Sequence, residues 1–92
     1  MTERAEILNE ALEVVTKRQQ VHGSPENSFA TIAKLWSAYL EKVVTPVQVA
    51  VMMNLLKVAR QKDNPENKDN YVDGIGYLAC AYELQKQREM GE

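Results

Sequence analysis

Ninety-two residues with 13 acidic and 11 basic side chains, a net charge of −2 and 45% hydrophobic content make one domain with one core, too apolar and too evenly charged for a disordered chain. No cluster of Lys and Arg supports non-specific binding to nucleic acid. No stretch holds the roughly 18 apolar residues of a membrane helix. With Glu3, Glu6, Glu10 and Glu13 at the start no signal peptide is expected, and the single cysteine, Cys80, leaves no internal disulfide to form. The expectation is a soluble protein of the cytoplasm.

The first predicted helix covers residues 2 to about 20. Ile7, Leu8, Ala11, Leu12, Val14, Val15 and Arg18 recur at helical spacing, with Glu10, Glu13 and Lys17 opposite. Thr2 is placed to cap it, and Gly23 suits the positive φ of a helix end. Ser24-Pro25 starts a second helix over about 25–42, whose stripe is Phe29, Ile32, Ala33, Trp36 and Leu40, widened by Leu35 and Tyr39. Thr45-Pro46-Val47-Gln48 has the pattern of a capping box and sets the clearest boundary in the chain.

The third helix, 46 to about 62, is apolar nearly all round: Val47, Val49, Ala50, Val51, Met52, Met53, Leu55, Leu56, Val58 and Ala59. Such a helix is expected to be buried on several sides and central to the fold. Asn54, Lys57 and Gln61 leave one narrow polar strip, with Arg60 beside it. Asp63-Asn64-Pro65-Glu66-Asn67 ends the helix. A fourth helix is predicted over about 69–88, with Tyr71, Val72, Ile75, Leu78, Ala79 and Tyr82 on its apolar face. Short connections among four helices point to an all-α, four-helix bundle-like domain. The apolar third helix exceeds what so small a monomer covers, which suggests a homodimer.

The chemistry-bearing constellation is the hairpin from Pro46 to Tyr77, where Lys57, Arg60, Asn64, Asp69 and Asp73 are expected to converge. Asp69 and Asp73 are four apart and share a helix face. Two cations and two carboxylates there suit a phosphate, held directly or through a divalent metal. The same residues suit still better a structural salt-bridge network in which Asp69 caps the fourth helix, since ion-pair networks are common at helix hairpins. His22, the one histidine, borders the region as a loop or helix-end residue. It has no second His or Cys companion for zinc. The candidate ligand-binding set is therefore His22, Lys57, Arg60, Asn64, Asp69, Asp73 and Tyr77, with no metal site, no indicated cofactor and no defined catalytic residue. Gly74 and Gly76 inside a helix cost about 1 kcal/mol each against alanine, which points to close packing or to room for a ligand beside Asp73.

The ordered segments HGSPENSFATIAKLWSAYL, TPVQVAVMMNLLKVAR and NPENKDNYVDGIGYLACAYE resemble a family of small bacteriophage and prophage proteins grouped as a domain of unknown function, DUF6378. The resemblance covers roughly Arg18 to Glu83. It places His22, Gly23, Phe29, Trp36, Lys57, Arg60, Asn64, Asp69, Asp73, Gly76 and Tyr77 on the family's pattern, with Ser28 where that pattern has asparagine. It implies a phage or prophage origin and no particular activity. The acid-bearing hairpin is also loosely similar to the MazG-type nucleotide pyrophosphohydrolases, which hold magnesium with carboxylate pairs on two helices. Met53, Asn54 and Lys57 stand at the third-helix positions here, which argues against that catalysis while leaving nucleotide binding open. Two functions follow: an accessory phage protein binding a nucleotide or other phosphate-bearing small molecule at the cluster, or a non-enzymatic module acting on a host or phage protein.

Overall fold

The computed structural model describes residues 2–91, apart from the side chains of His22, Pro25 and Glu26. These residues form four α-helices and no strand: α1 (Glu3–His22), α2 (Pro25–Leu40), α3 (Pro46–Asp63) and α4 (Lys68–Gly91). The fold is all-α, as the periodicity requires.

Local chemistry sets each helix end. Thr2 Oγ1 accepts the Ala5 N–H at 3.2 Å, and Glu3 and Glu6 lie in the positive first turn of α1. Gly23 closes α1 at φ +82°, a backbone geometry that glycine takes without a Cβ penalty. Ser24 occupies the α2 cap position, and its side chain makes no capping bond. Glu41 closes α2 in the left-handed region, at φ 54° and ψ 39°. The α2–α3 corner is tied by Ser37, whose hydroxyl accepts the Val44 N–H at 2.8 Å and donates to the Val44 carbonyl at 3.2 Å. Thr45 and Gln48 form the full capping box, at 3.2 and 3.0 Å. After Asn64 ends α3, Asn67 Oδ1 accepts the Asp69 N–H at 3.0 Å. Asn67, rather than Asp69, therefore caps α4.

α3 and α4 form an antiparallel hairpin; α1 packs on α4 and α2 on α3, so that α4 meets all three other helices. The core sits where α2, α3 and α4 meet: Phe29, Ala33, Val49, Ala50, Ala81 and Leu84, with Trp36, Met53 and Tyr77 partly buried against it. α3 is buried against α2 and α4 and open elsewhere. The expectation of burial on several sides is thus met on two, and Val51, Met52, Leu55, Leu56 and Val58 are exposed. The inward faces of the other helices are likewise narrower than their apolar stripes. Leu8 and Leu12 of α1, Leu35, Tyr39 and Leu40 of α2, and Leu78 and Tyr82 of α4 all point to solvent. On α4 the inward positions go instead to Asn70, Val72, Gly74, Ala81 and Leu84, several of them small, because the neighbouring helices approach closely. The radius of gyration is 14.1 Å and the extents are 43 × 29 × 23 Å, against roughly 12 Å for a globule of this length. Among the described residues no helix is long and apolar enough to cross a membrane.

Candidate functional site

Between Val49 and Gln61, α3 carries four polar side chains: Asn54, Lys57, Arg60 and Gln61. Asn54, Lys57 and Gln61, at i, i+3 and i+7, turn toward α4, which presents Asn70, Asp73 and Gly74 to them. Gly74 makes the approach possible. A Cβ built there would lie 2.8 Å from Asn54 Oδ1, 3.5 Å from Gln61 Nε2 and 3.8 Å from Lys57 Cβ. Gln61 Nε2 donates to the Asn70 carbonyl at 3.1 Å.

Within this seam Lys57 Nζ pairs with Asp73 Oδ2 at 3.0 Å, their side chains 12% and 17% exposed. The other carboxylate oxygen of Asp73 accepts from Arg18 Nη2 at 3.4 Å, across from α1. Asp73 therefore bridges two cations, one nearly buried and one, Arg18, 54% exposed. A pair so placed holds its geometry because breaking it would strand a charge in a weakly solvated position.

Arg60, Asn64, Asp69 and Tyr77 do not join that pair. Arg60 is exposed in the last turn of α3, where its charge suits the negative helix end. Asn64 is exposed as the residue closing that helix, its N–H donating to the Arg60 carbonyl at 2.9 Å. Asp69 is exposed in the first turn of α4. The antiparallel register explains the separation: with Asp73 opposite Lys57, Asp69 lies one helical turn, about 5.4 Å, nearer the loop. Tyr77 is half-buried, its ring tilted against Phe29 with centroids 6.3 Å apart. The side chain of His22 lies outside the described residues; its backbone ends α1 beside Gly23.

A cavity of about 220 Å³ lies beside Asp73 and Tyr77, enclosed by α1, the start of α2 and α4. Val14, Val15, Phe29, Val72 and Tyr77 form its apolar walls, and Arg18, Asp73 and Glu83 its charged edge. Cys80 also lines it; burial first, and Glu83 second, push its thiol up, so that it stays protonated at neutral pH. Gly76 leaves only enough room for α1, since a Cβ there would meet Val15 Cγ2 at 3.3 Å. Among the described residues no three of His, Cys, Asp and Glu are grouped to hold a metal ion. The site can therefore neutralise and orient Asp73, and it offers a small apolar hollow with a guanidinium at its rim.

Arg18 has no role in the sequence-derived site, although its place on the apolar stripe of α1 is the mark of a residue facing the core. Gln61 and Asn70 are also absent from that set. Gln61 shares the helix face of Asn54 and Lys57, and that spacing is its signal.

The family model described as "Domain of unknown function (DUF6378)" matches residues 6–85. Two phage proteins are similar in sequence. One, the Gene 55 protein of Mycobacterium phage D29, is 36% identical over 87 residues, a match covering 94% of this chain and 58% of that protein. The other, the Gene 55 protein of Mycobacterium phage L5, is 41% identical over 81 residues, covering 86% of this chain and 52% of that protein. The chain thus spans little more than half the length of the curated relatives it matches. No solved structure matches. With the family model matched over most of its length, this chain belongs to the DUF6378 domain family.

Proposed function

We propose that the chain is a non-enzymatic protein-interaction module of a phage, working in the cytoplasm of the bacterial host, and that Lys57 and Asp73 form a structural ion-pair network. One observation carries this reading. α3 turns Asn54, Lys57 and Gln61 inward and leaves Val51, Met52, Leu55, Leu56 and Val58 in solvent. A surface helix ordinarily does the reverse, and a large exposed apolar face marks a binding surface. The competing reading, a nucleotide or other phosphate-bearing ligand held by His22, Lys57, Arg60, Asn64, Asp69, Asp73 and Tyr77, is less well supported. Lys57 is already neutralised by Asp73, Arg60 and Asp69 lie apart from that pair, and the adjoining 220 Å³ cavity is below the roughly 300–1,000 Å³ usual for ligand pockets.

Thermal unfolding across a panel of nucleotides, with and without magnesium, tests the choice. The expected result is no nucleotide-dependent rise in Tm, together with a lower Tm for Lys57→Ala in the absence of any ligand. A rise on adding a nucleotide that Lys57→Ala abolishes would overturn the proposal.

A further inference from the structure

We infer that the partner on the outer side of α3 is a second copy of this chain, the two α3 helices lying antiparallel across a twofold axis; this rests on the interaction-module reading and names its partner. Surface area is the first observation. The chain exposes 6851 Å², whereas a soluble monomer of 10.4 kDa is expected to expose about 5,400 Å². The excess of roughly 1,400 Å² exceeds the roughly 800 Å² that each partner loses in a stable dimer.

Pattern is the second observation. Along α3, Gln48, Val51, Leu55, Val58 and Lys62 recur at i, i+3, i+7, i+10 and i+14, and all five are exposed. That is the spacing of a two-helix seam, in which apolar side chains of one helix seat between those of another. Leu55, 59% exposed, lies at its centre.

Charge is the third. From Pro46 to Ala59, about 21 Å of helix, no exposed residue of α3 is charged. Such a face offers nothing to select an acidic or basic partner, yet it meets its own copy without repulsion, and a twofold self-pairing is the commonest closed assembly. The exposed charges Arg60, Lys62 and Asp63 all lie at the C-terminal end. Parallel pairing would set Arg60 and Lys62 against themselves, whereas antiparallel pairing carries them to opposite ends and, centred near Leu55, sets Leu55 beside its counterpart and Val51 of each copy against Val58 of the other.

Sedimentation equilibrium on the full chain decides the matter. Wild type is expected at twice 10.4 kDa. Leu55→Glu should sediment as a monomer of unchanged helical content. Leu12→Glu, at an equally exposed apolar position of α1, should stay dimeric. A monomeric wild type at high micromolar concentration, or a Leu55→Glu protein that still dimerises, overturns the inference. Should Leu55→Glu fail to fold, the wild-type Tm decides: a rise with protein concentration supports the dimer, and a constant value overturns it. The underlying reading fails separately. A monomer whose binding of a fluorescent apolar dye is lost in Leu55→Glu removes the second copy and keeps the interaction surface. A nucleotide-dependent rise in Tm removes the interaction reading itself.

Discussion

The two long sides of α3 invert the usual arrangement of a surface helix. The inner side combines Val49 and Ala50 with the polar strip of Asn54, Lys57 and Gln61, and each polar group is opposed by one on α4 or by the space that Gly74 leaves. The outer side is longer, more apolar and uncovered. Burial in this chain follows the shape and hydrogen-bonding capacity of the neighbouring helix more closely than it follows hydrophobicity. Fully burying a leucine or valine contributes about 1.5–3 kcal/mol, so leaving five large apolar side chains in water forgoes several kcal/mol that association can recover.

Closing the seam from within should break this contrast most severely. Gly74→Leu drives a side chain into Asn54 and Gln61 and is expected to cost about 3 kcal/mol, lowering Tm by about 12 °C or more in a thermal melt. Lys57→Met comes next: it leaves Asp73 with only the 3.4 Å Arg18 partner, for a loss of about 2 kcal/mol. Adding Asp73→Leu should restore much of that loss, because an apolar pair of similar volume carries no stranded charge. Denaturant melts of the single and double variants check the sign; a double variant weaker than Lys57→Met would show that the charges do more than balance each other.

The smallest expected effect lies outside the seam, at the surface pair of Lys68 and Glu10, 2.8 Å apart. Its hydrogen bond and charge attraction to Glu10 raise the Lys68 pKa. The sign follows directly. With the folded value above the unfolded one, the contribution is complete below the unfolded lysine pKa of about 10.4 and is lost as pH rises through the folded value. Lys68→Ala should therefore leave Tm nearly unchanged at neutral pH and flatten its decline in alkali. A Tm–pH series compares the two proteins.

Much of this fold was legible because helix ends are local events. Thr45 and Gln48 are three residues apart, and Gly23 answers a positive φ within one peptide unit. The strip of Asn54, Lys57 and Gln61 was legible for the same reason. Which side of α3 would be covered was not legible, since apolar residues surround it and periodicity has no preferred phase in such a helix. The convergence expected of Arg60, Asn64 and Asp69 with Lys57 failed on register, which depends on how two helices meet. Arg18 and Asp73 are 55 positions apart, and only the docking of α1 on α4 joins them. Leu12, Tyr39 and Tyr82 show the remaining limit: a stripe marks the side on which a helix can pack, and the neighbour's width decides how much of it is covered.

Glu41 closes α2 at φ 54°, where a residue with a Cβ sits at a cost of about 1 kcal/mol relative to glycine. It touches neither the seam nor the outer side of α3, and Ser37 holds the corner whatever stands there. Glu41→Gly therefore relaxes the corner while leaving every surface discussed intact. The protein has room to become firmer without becoming different.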